Sequence, residues 1–398
     1  MNLLNILDIN AEKIKLFIST GLQGFYKILI LLIIEFNYGL AEVAKVGVNL
    51  SIAQIIITIT TIGFCSLILS RVPTEENYNN KYKIFYNLQF NIILILILVI
   101  ALIFFLKNFF YSNNIIELLW WITSLTLYNS SRHFFLAEKN YNKIIFLDLL
   151  LILLSITVIN LKYFNNISIT LSITMLFVCM ISYLLIGNYK LIFSEKKIFE
   201  FKGIVFGFSQ FISSSLVLII IPISVLFLEQ NEVGILAIFI NLSSGIMIFS
   251  RTITLYLISI FSKIKLNKKI FLEIIKNNEK KIFVYSSLVF LIYLFISIFI
   301  LIFYNNYQLE LLLSFIFISL FFLTNNLTIL MSSLLIVNEQ SSKSFFINLC
   351  TFLIFGIFIF YSSFFHELED FIIICFGLFI AGLIRWLLLK LLLRKEYA

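Results

Sequence analysis

The stretch STGLQGFYKILILLIIEFNYGLAEVAKVGVNLSIAQIIITITTIGFCSLILSR, residues 19–71, reads as two apolar runs joined by a short turn around Asn37, Tyr38 and Gly39 and closed by Arg71. Each run matches the roughly 20 residues that a helix needs to cross a bilayer. Neither alternates as a barrel strand would, and an open sheet would leave backbone polar groups unpaired in hydrocarbon, so helices are the element that fits.

Outward from this pair the same pattern repeats, giving candidate spans at 16–35, 46–69, 86–106, 115–136, 144–161, 167–187, 203–228, 233–258, 282–304, 311–337, 345–365 and 371–392. The 398 residues are 61% hydrophobic and 13% charged, against about 45–50% and about 25% in a soluble domain. Twelve spans use about 240 residues and leave too few for a separate catalytic domain, so the chain is expected to be no enzyme. The expected fold is an all-α polytopic membrane protein with about 12 transmembrane helices in two six-helix lobes. The first apolar run has no small-residue cleavage pattern after it and is expected to stay in place as the first span.

The formal net charge of +8 fits a positive-inside topology rather than nucleic-acid binding. With the N-terminus in the cytoplasm, 25 of the 29 Lys and Arg fall at inner connections and chain ends. Only Lys45, Lys107 and Lys162 fall outside, and Lys27 lies within a span. That alternation predicts cytoplasmic N- and C-termini and a multi-pass membrane protein. The lysine-rich stretch 188–202 reads as a linker between lobes 1–187 and 203–398, and 262–281 reads as an interfacial amphipathic helix. A faint internal echo pairs Glu42-Val43-Ala44 and Asn49-Leu50-Ser51 with Glu232-Val233-Gly234 and Asn241-Leu242-Ser243.

Ionisable groups inside a membrane are functional candidates by default. Lys27 falls near mid-span on a polar stripe with Thr20 and Gln23. Snorkelling from there requires a reach of more than a helical turn, so an internal cavity is the better reading. Two readings are open for Arg251: a cap at the lipid-facing end, or a group projecting into a cavity open to the cytoplasm. Asp148 and Glu117 each fit either a coupling-proton carrier or an interfacial residue. His133 is expected at the inner surface and His366 in an outer loop. Gln210, Asn241, Asn325 and Asn326 are further polar candidates, and Pro222 removes a mid-span backbone hydrogen bond, predicting a hinge. Cys65, Cys179, Cys350 and Cys375 lie in apolar runs without metal-ligand spacing. The chain carries no nucleotide-binding, metal-site or catalytic signature, so no cofactor or metal is expected and transport must draw on an ion gradient, membrane potential or the substrate's own gradient.

The quoted stretch resembles the opening two helices of polysaccharide-lipid (O-antigen or capsule repeat unit) flippases of the multidrug/oligosaccharidyl-lipid/polysaccharide exporter superfamily. It shares a small and polar first helix, a Tyr-Gly outer turn and a Gly-then-Arg exit at Gly63 and Arg71. The basic inner turn in RHFFLAEKNYNKIIFLDLL (132–150) resembles the same family. The resemblance implies two lobes around a cationic cavity, moving an undecaprenyl-diphosphate-linked oligosaccharide to the outer leaflet by alternating access, with a polysaccharide polymerase as a possible partner. It implies diphosphate contacts at Lys27 and Arg251 and sugar contacts at Gln23, Gln210 and Asn241. Two alternatives are a polysaccharide polymerase, disfavoured by the short outer loops, and an H⁺- or Na⁺-coupled multidrug or metabolite exporter of the same superfamily.

Overall fold

The computed structural model describes residues 11–105, 115–162, 166–188, 198–214, 216–245, 247–248, 252, 268–303, 309–337, 341–362 and 368–397. Among these the chain is helical throughout, with no strand. The first expected span is α1 (Ala11–Tyr38), and Gly39, at a φ of 85°, turns the chain directly into the second. That second span is α2 (Leu40–Ile57), a π turn (Thr58–Ile62) and α3 (Gly63–Arg71) in succession. Then follow α4 (Tyr78–Phe105), α5 (Ile115–Ala137), α6 (Tyr141–Leu161) and α7 (Ile167–Ile186).

The second half holds α8 (Phe201–Ser214), α9 (Leu216–Ser224), α10 (Gln230–Ser244), α11 (Lys268–Phe303), α12 (Leu309–Val337), α13 (Ser341–Ser362) and α14 (Leu368–Tyr397). Nine of the described helical stretches are long and apolar enough to cross a membrane, or ten with α8 and α9 taken as one broken span. The other two expected spans correspond to α10 and to α5. With 23 residues, α5 is about 34 Å long, but Glu117, Asn129, Ser130, Ser131 and Arg132 lower its hydropathy. Those residues are buried, so α5 runs through protein rather than along lipid.

Three details differ from the sequence reading. The seventh span is broken, with α8 and α9 meeting at 63°. The break falls between Phe211 and Leu216, and Pro222 sits inside α9. The helix that holds the ninth span begins at Lys268, ahead of the span itself at Asn278–Phe303. No Gly or Pro interrupts 268–303, so the described part of the lysine-rich segment is helical and runs into the span without a break, in one rod of 36 residues, about 54 Å at helical rise. Third, Arg132 and Arg385, which the charge count places at inner connections, are buried in the helix packing at 6% and 3% exposure.

Two apolar clusters organise the packing. The first is built from α1 to α7 and takes in Ile238 of α10. The second is built from α9 to α14 and takes in Ala44 of α2. The two echo segments therefore meet: α2 packs along α10, with a Cβ on Gly47 placed 2.8 Å from that of Ala237 and a Cβ on Gly234 placed 2.4 Å from the Leu40 carbonyl oxygen. Gln230 closes the end of this seam by donating to the Ala41 carbonyl at 3.3 Å.

Polar contacts sort the connections into two ends. Lys45, Glu117 and Asn166 meet at one, as do Asn37 and Asn160. At the other, Tyr86 donates to the Gly187 carbonyl, Lys143 donates to the Leu185 carbonyl and Arg71 pairs with Glu200. This is the alternation that successive membrane crossings require. The lysine-rich end is called inner below, following the charge bias.

Candidate functional site

A cavity lies inside the first half, lined by Gln23, Tyr26 and Lys27 of α1, Leu50 of α2, Leu125 and Tyr128 of α5, Asp148 and Leu151 of α6, and Met175 of α7. Its accessible space is about 20 Å³, room for a water molecule and far below the several hundred cubic ångströms of a drug-sized site. Lys27 and Gln23 reach it because they are four residues apart on one face of α1. Thr20, on the same expected stripe, instead returns its hydroxyl to the Leu16 carbonyl at 2.6 Å.

Asp148 is the buried carboxylate of this cavity, at 2% exposure. Its Oδ1 accepts a hydrogen bond from the Tyr128 hydroxyl. Its Oδ2 stands 3.6 Å from the Arg132 guanidinium, an ion pair too long for a hydrogen bond, and is buried without a hydrogen-bond partner. Arg132 itself donates to the Ser19 carbonyl, which ties α5 to α1. Gln23 donates to Asn129 at 3.3 Å, and the Tyr26 hydroxyl meets that of Ser155 at 3.3 Å. His133 is half-buried rather than on the surface, with Nδ1 2.6 Å from the Asn129 carbonyl.

The structure thus brings together Lys27, Gln23 and Asp148, and places the other candidates elsewhere. Glu117 stands at the outer end, where Lys45 lies 3.1 Å from Oε1 and the amides of Asn49 and Asn166 donate at 3.0 and 2.6 Å. Asn241 returns its amide to the Ala237 carbonyl of its own helix at 2.8 Å. Gln210 is half-buried on α8, and Pro222 lies on α9. Arg251 and His366 lie outside the described residues.

The sequence reading missed two groups. Arg132 sits in the polar run Asn129-Ser130-Ser131-Arg132, a signal for a buried helix that the charge count overrode. Arg385 donates from Nε to Asn348 at 2.8 Å and from Nη1 to Asn325 at 2.5 Å, linking α14 to α13 and α12. Its signal was position, because apolar residues surround it on both sides in AGLIRWLLL.

No protein-family model and no curated protein matches the chain by sequence. Solved structures do match its fold. A complex of the MATE multidrug transporter DinF-BH aligns over 97% of this chain and 94% of its own, at a TM-score of 0.68 and 16% identity. A variant of the Vibrio cholerae MATE transporter VcmN aligns over 97% and 96%, at 0.61 and 12%. An outward-facing multidrug resistance MATE family transporter of the MOP superfamily aligns over 97% and 94%, at 0.59 and 11%. The chain therefore has the fold of the MATE transporters, over nearly its whole length. These likenesses show the fold alone, and the flippase specificity expected from the opening helices is not confirmed by them.

Proposed function

We propose that the protein is an ion-coupled exporter of the multidrug or metabolite type, working by alternating access between halves that rock against each other. One observation carries the reading: Asp148 is a carboxylate buried inside the helix bundle at a water-sized cavity, beside Lys27 and Arg132, and an ionisable group within a membrane is costly to keep unless it has a function. The proton suits this site better than Na⁺. Lys27 and Arg132 put two cationic side chains around one carboxylate, which repels a further metal cation at short range, whereas a proton is accepted by Asp148 itself. The test is efflux of ethidium from proteoliposomes under an imposed pH gradient or an imposed Na⁺ gradient. Efflux that follows neither gradient overturns the reading.

Glu117 holds structure in this scheme rather than the coupling ion, because Lys45, Asn49 and Asn166 occupy its oxygens. Glu117→Gln is expected to cost about 2–3 kcal/mol of stability, seen as a lower thermal midpoint in detergent. Gradient-driven efflux by the surviving protein should be unchanged, and a loss of coupling at full protein level would reassign the ion to Glu117.

A second reading has its own supporting observation. Lys27 lines the cavity and two arginines, Arg132 and Arg385, are buried in the helix packing; cations within the membrane suit an anionic cargo such as an undecaprenyl-diphosphate-linked oligosaccharide, and arginine offers a fork suited to phosphate. Lys27→Ala would then lower flipping of a fluorescent undecaprenyl-diphosphate sugar in proteoliposomes by about tenfold or more, the value of one charge-assisted hydrogen bond. Unimpaired flipping at normal protein levels removes Lys27 from the cargo site.

A further inference from the structure

Alternating access, proposed above, requires two bodies and a boundary between them, and the sequence puts that boundary in the connection 188–202. We infer that the moving boundary is instead the 63° break between α8 and α9, so that α8 travels with the first half although it follows the linker in sequence. The inference rests on the alternating-access reading.

The attachment of α8 to the first half begins just before the helix. Asn87 and Asn91 of α4 grip residues 198–200 much as a neighbouring strand would. The Ile198 amide donates to Asn87 Oδ1 at 3.0 Å and the Glu200 amide to Asn91 Oδ1 at 3.1 Å, while Asn91 Nδ2 donates to the Ile198 carbonyl at 3.0 Å. Arg71, at the end of α3, closes on the Glu200 carboxylate at 2.7 and 2.8 Å.

Along the helix the contact is backbone on backbone. A Cβ on Gly63 would lie 2.0 Å from the Gly203 carbonyl oxygen and 2.3 Å from the Gly207 nitrogen, and a Cβ on Gly207 would lie 2.2 Å from the Ile59 carbonyl oxygen. Gly203 and Gly207 are four residues apart, so they form one smooth face of α8. That face fits the π turn Thr58–Ile62, where the extra residue of each turn pushes carbonyl groups out of the helix. Ile204 and Phe206 accordingly pack against the first apolar cluster.

Across the break the packing changes. Leu216, Val217, Ile220 and Ile221 of α9 lie along α2 and belong to the second apolar cluster, which takes in Ala44 of α2 and in which no described α8 side chain takes part. The described ties from α8 to α13 are slighter: Asn348 donates to the Ser209 carbonyl at 3.3 Å, and Phe211 faces Phe352 at 6.0 Å between ring centroids. A rigid shift of the halves therefore parts α8 from α13 more easily than from α3 and the π turn.

The test is spin-label distance measurement on the full chain in lipid nanodiscs, at acidic and alkaline pH, in a Cys350→Ser background. Three pairs are needed: Lys202→Cys with Asn79→Cys, Lys202→Cys with Lys343→Cys, and Ala41→Cys with Asn231→Cys across the seam of α2 and α10. The expected result is a distance shift for the second and third pairs and one unchanged distribution for the first. If the first pair shifts while the second holds, α8 belongs to the second half and the inference is overturned, with alternating access intact. A shift of the third pair alone also overturns it. If no pair shifts and gradient-driven efflux is absent as well, the alternating-access reading itself fails and takes the inference with it.

Discussion

Asp148→Asn is expected to abolish gradient-driven efflux, and restoring the charge balance around it is expected not to bring efflux back. The carboxylate is buried at 2% exposure, between the Tyr128 hydroxyl and the Arg132 guanidinium. The amide keeps the size and the acceptor for Tyr128 but cannot take up a proton in the working range. It also leaves the Arg132 charge without its carboxylate, and breaking a buried ion pair from one side costs about 3–5 kcal/mol. Lost efflux in the single variant could therefore follow from lost protein. Adding Arg132→Gln separates the two effects, because the pair is then removed from both sides and much of the stability is expected to return. Thermal midpoint in detergent and efflux per folded protein should part company: the midpoint recovers in the double variant and the pH-gradient response stays at background. A double variant that regains the response makes Asp148 a structural partner of Arg132 and nothing more.

The residues that carry this site show how far the sequence could be read. Span number and helix type follow from run length, since hydrocarbon admits few other structures, and the structure supplies a helix for each expected span. Lys27 and Gln23 were legible because a lysine in mid-span has few destinations and helical spacing puts Gln23 beside it. Arg132 and Arg385 were not, because the same counting rule that set the orientation absorbed any cation within reach of an inner connection. Whether an arginine near a helix end faces water or protein is decided by the neighbouring helices, and those are distant in sequence: Ser19 for Arg132, Asn325 and Asn348 for Arg385.

The seam between Gly63 and α8 sets the other large effect. Gly63→Ala adds one methyl group where the nearest atoms are the Gly203 carbonyl oxygen at 2.0 Å and the Gly207 nitrogen at 2.3 Å. Both belong to backbone, so no side-chain rotation relieves the clash and the helices must separate. Overpacking of this kind costs about 1–3 kcal/mol and sometimes more, and backbone neighbours put it at the upper end. In an exposed helix interior the same change would gain about 1 kcal/mol, because alanine is the better helix former. Gly356 on α13 supplies that comparison within the same chain, since a Cβ there meets nothing within 4 Å. The two variants should move the thermal midpoint in opposite directions, Gly63→Ala downwards by several degrees and Gly356→Ala upwards or not at all. Gly63→Ala should also release the inner end of α8, so that a cysteine at Lys202 and one at Asn79 separate at every pH. If Gly63→Ala melts with the parent and holds that distance, α8 does not rest on the π turn, and the bond between α8 and the first half loses its physical basis.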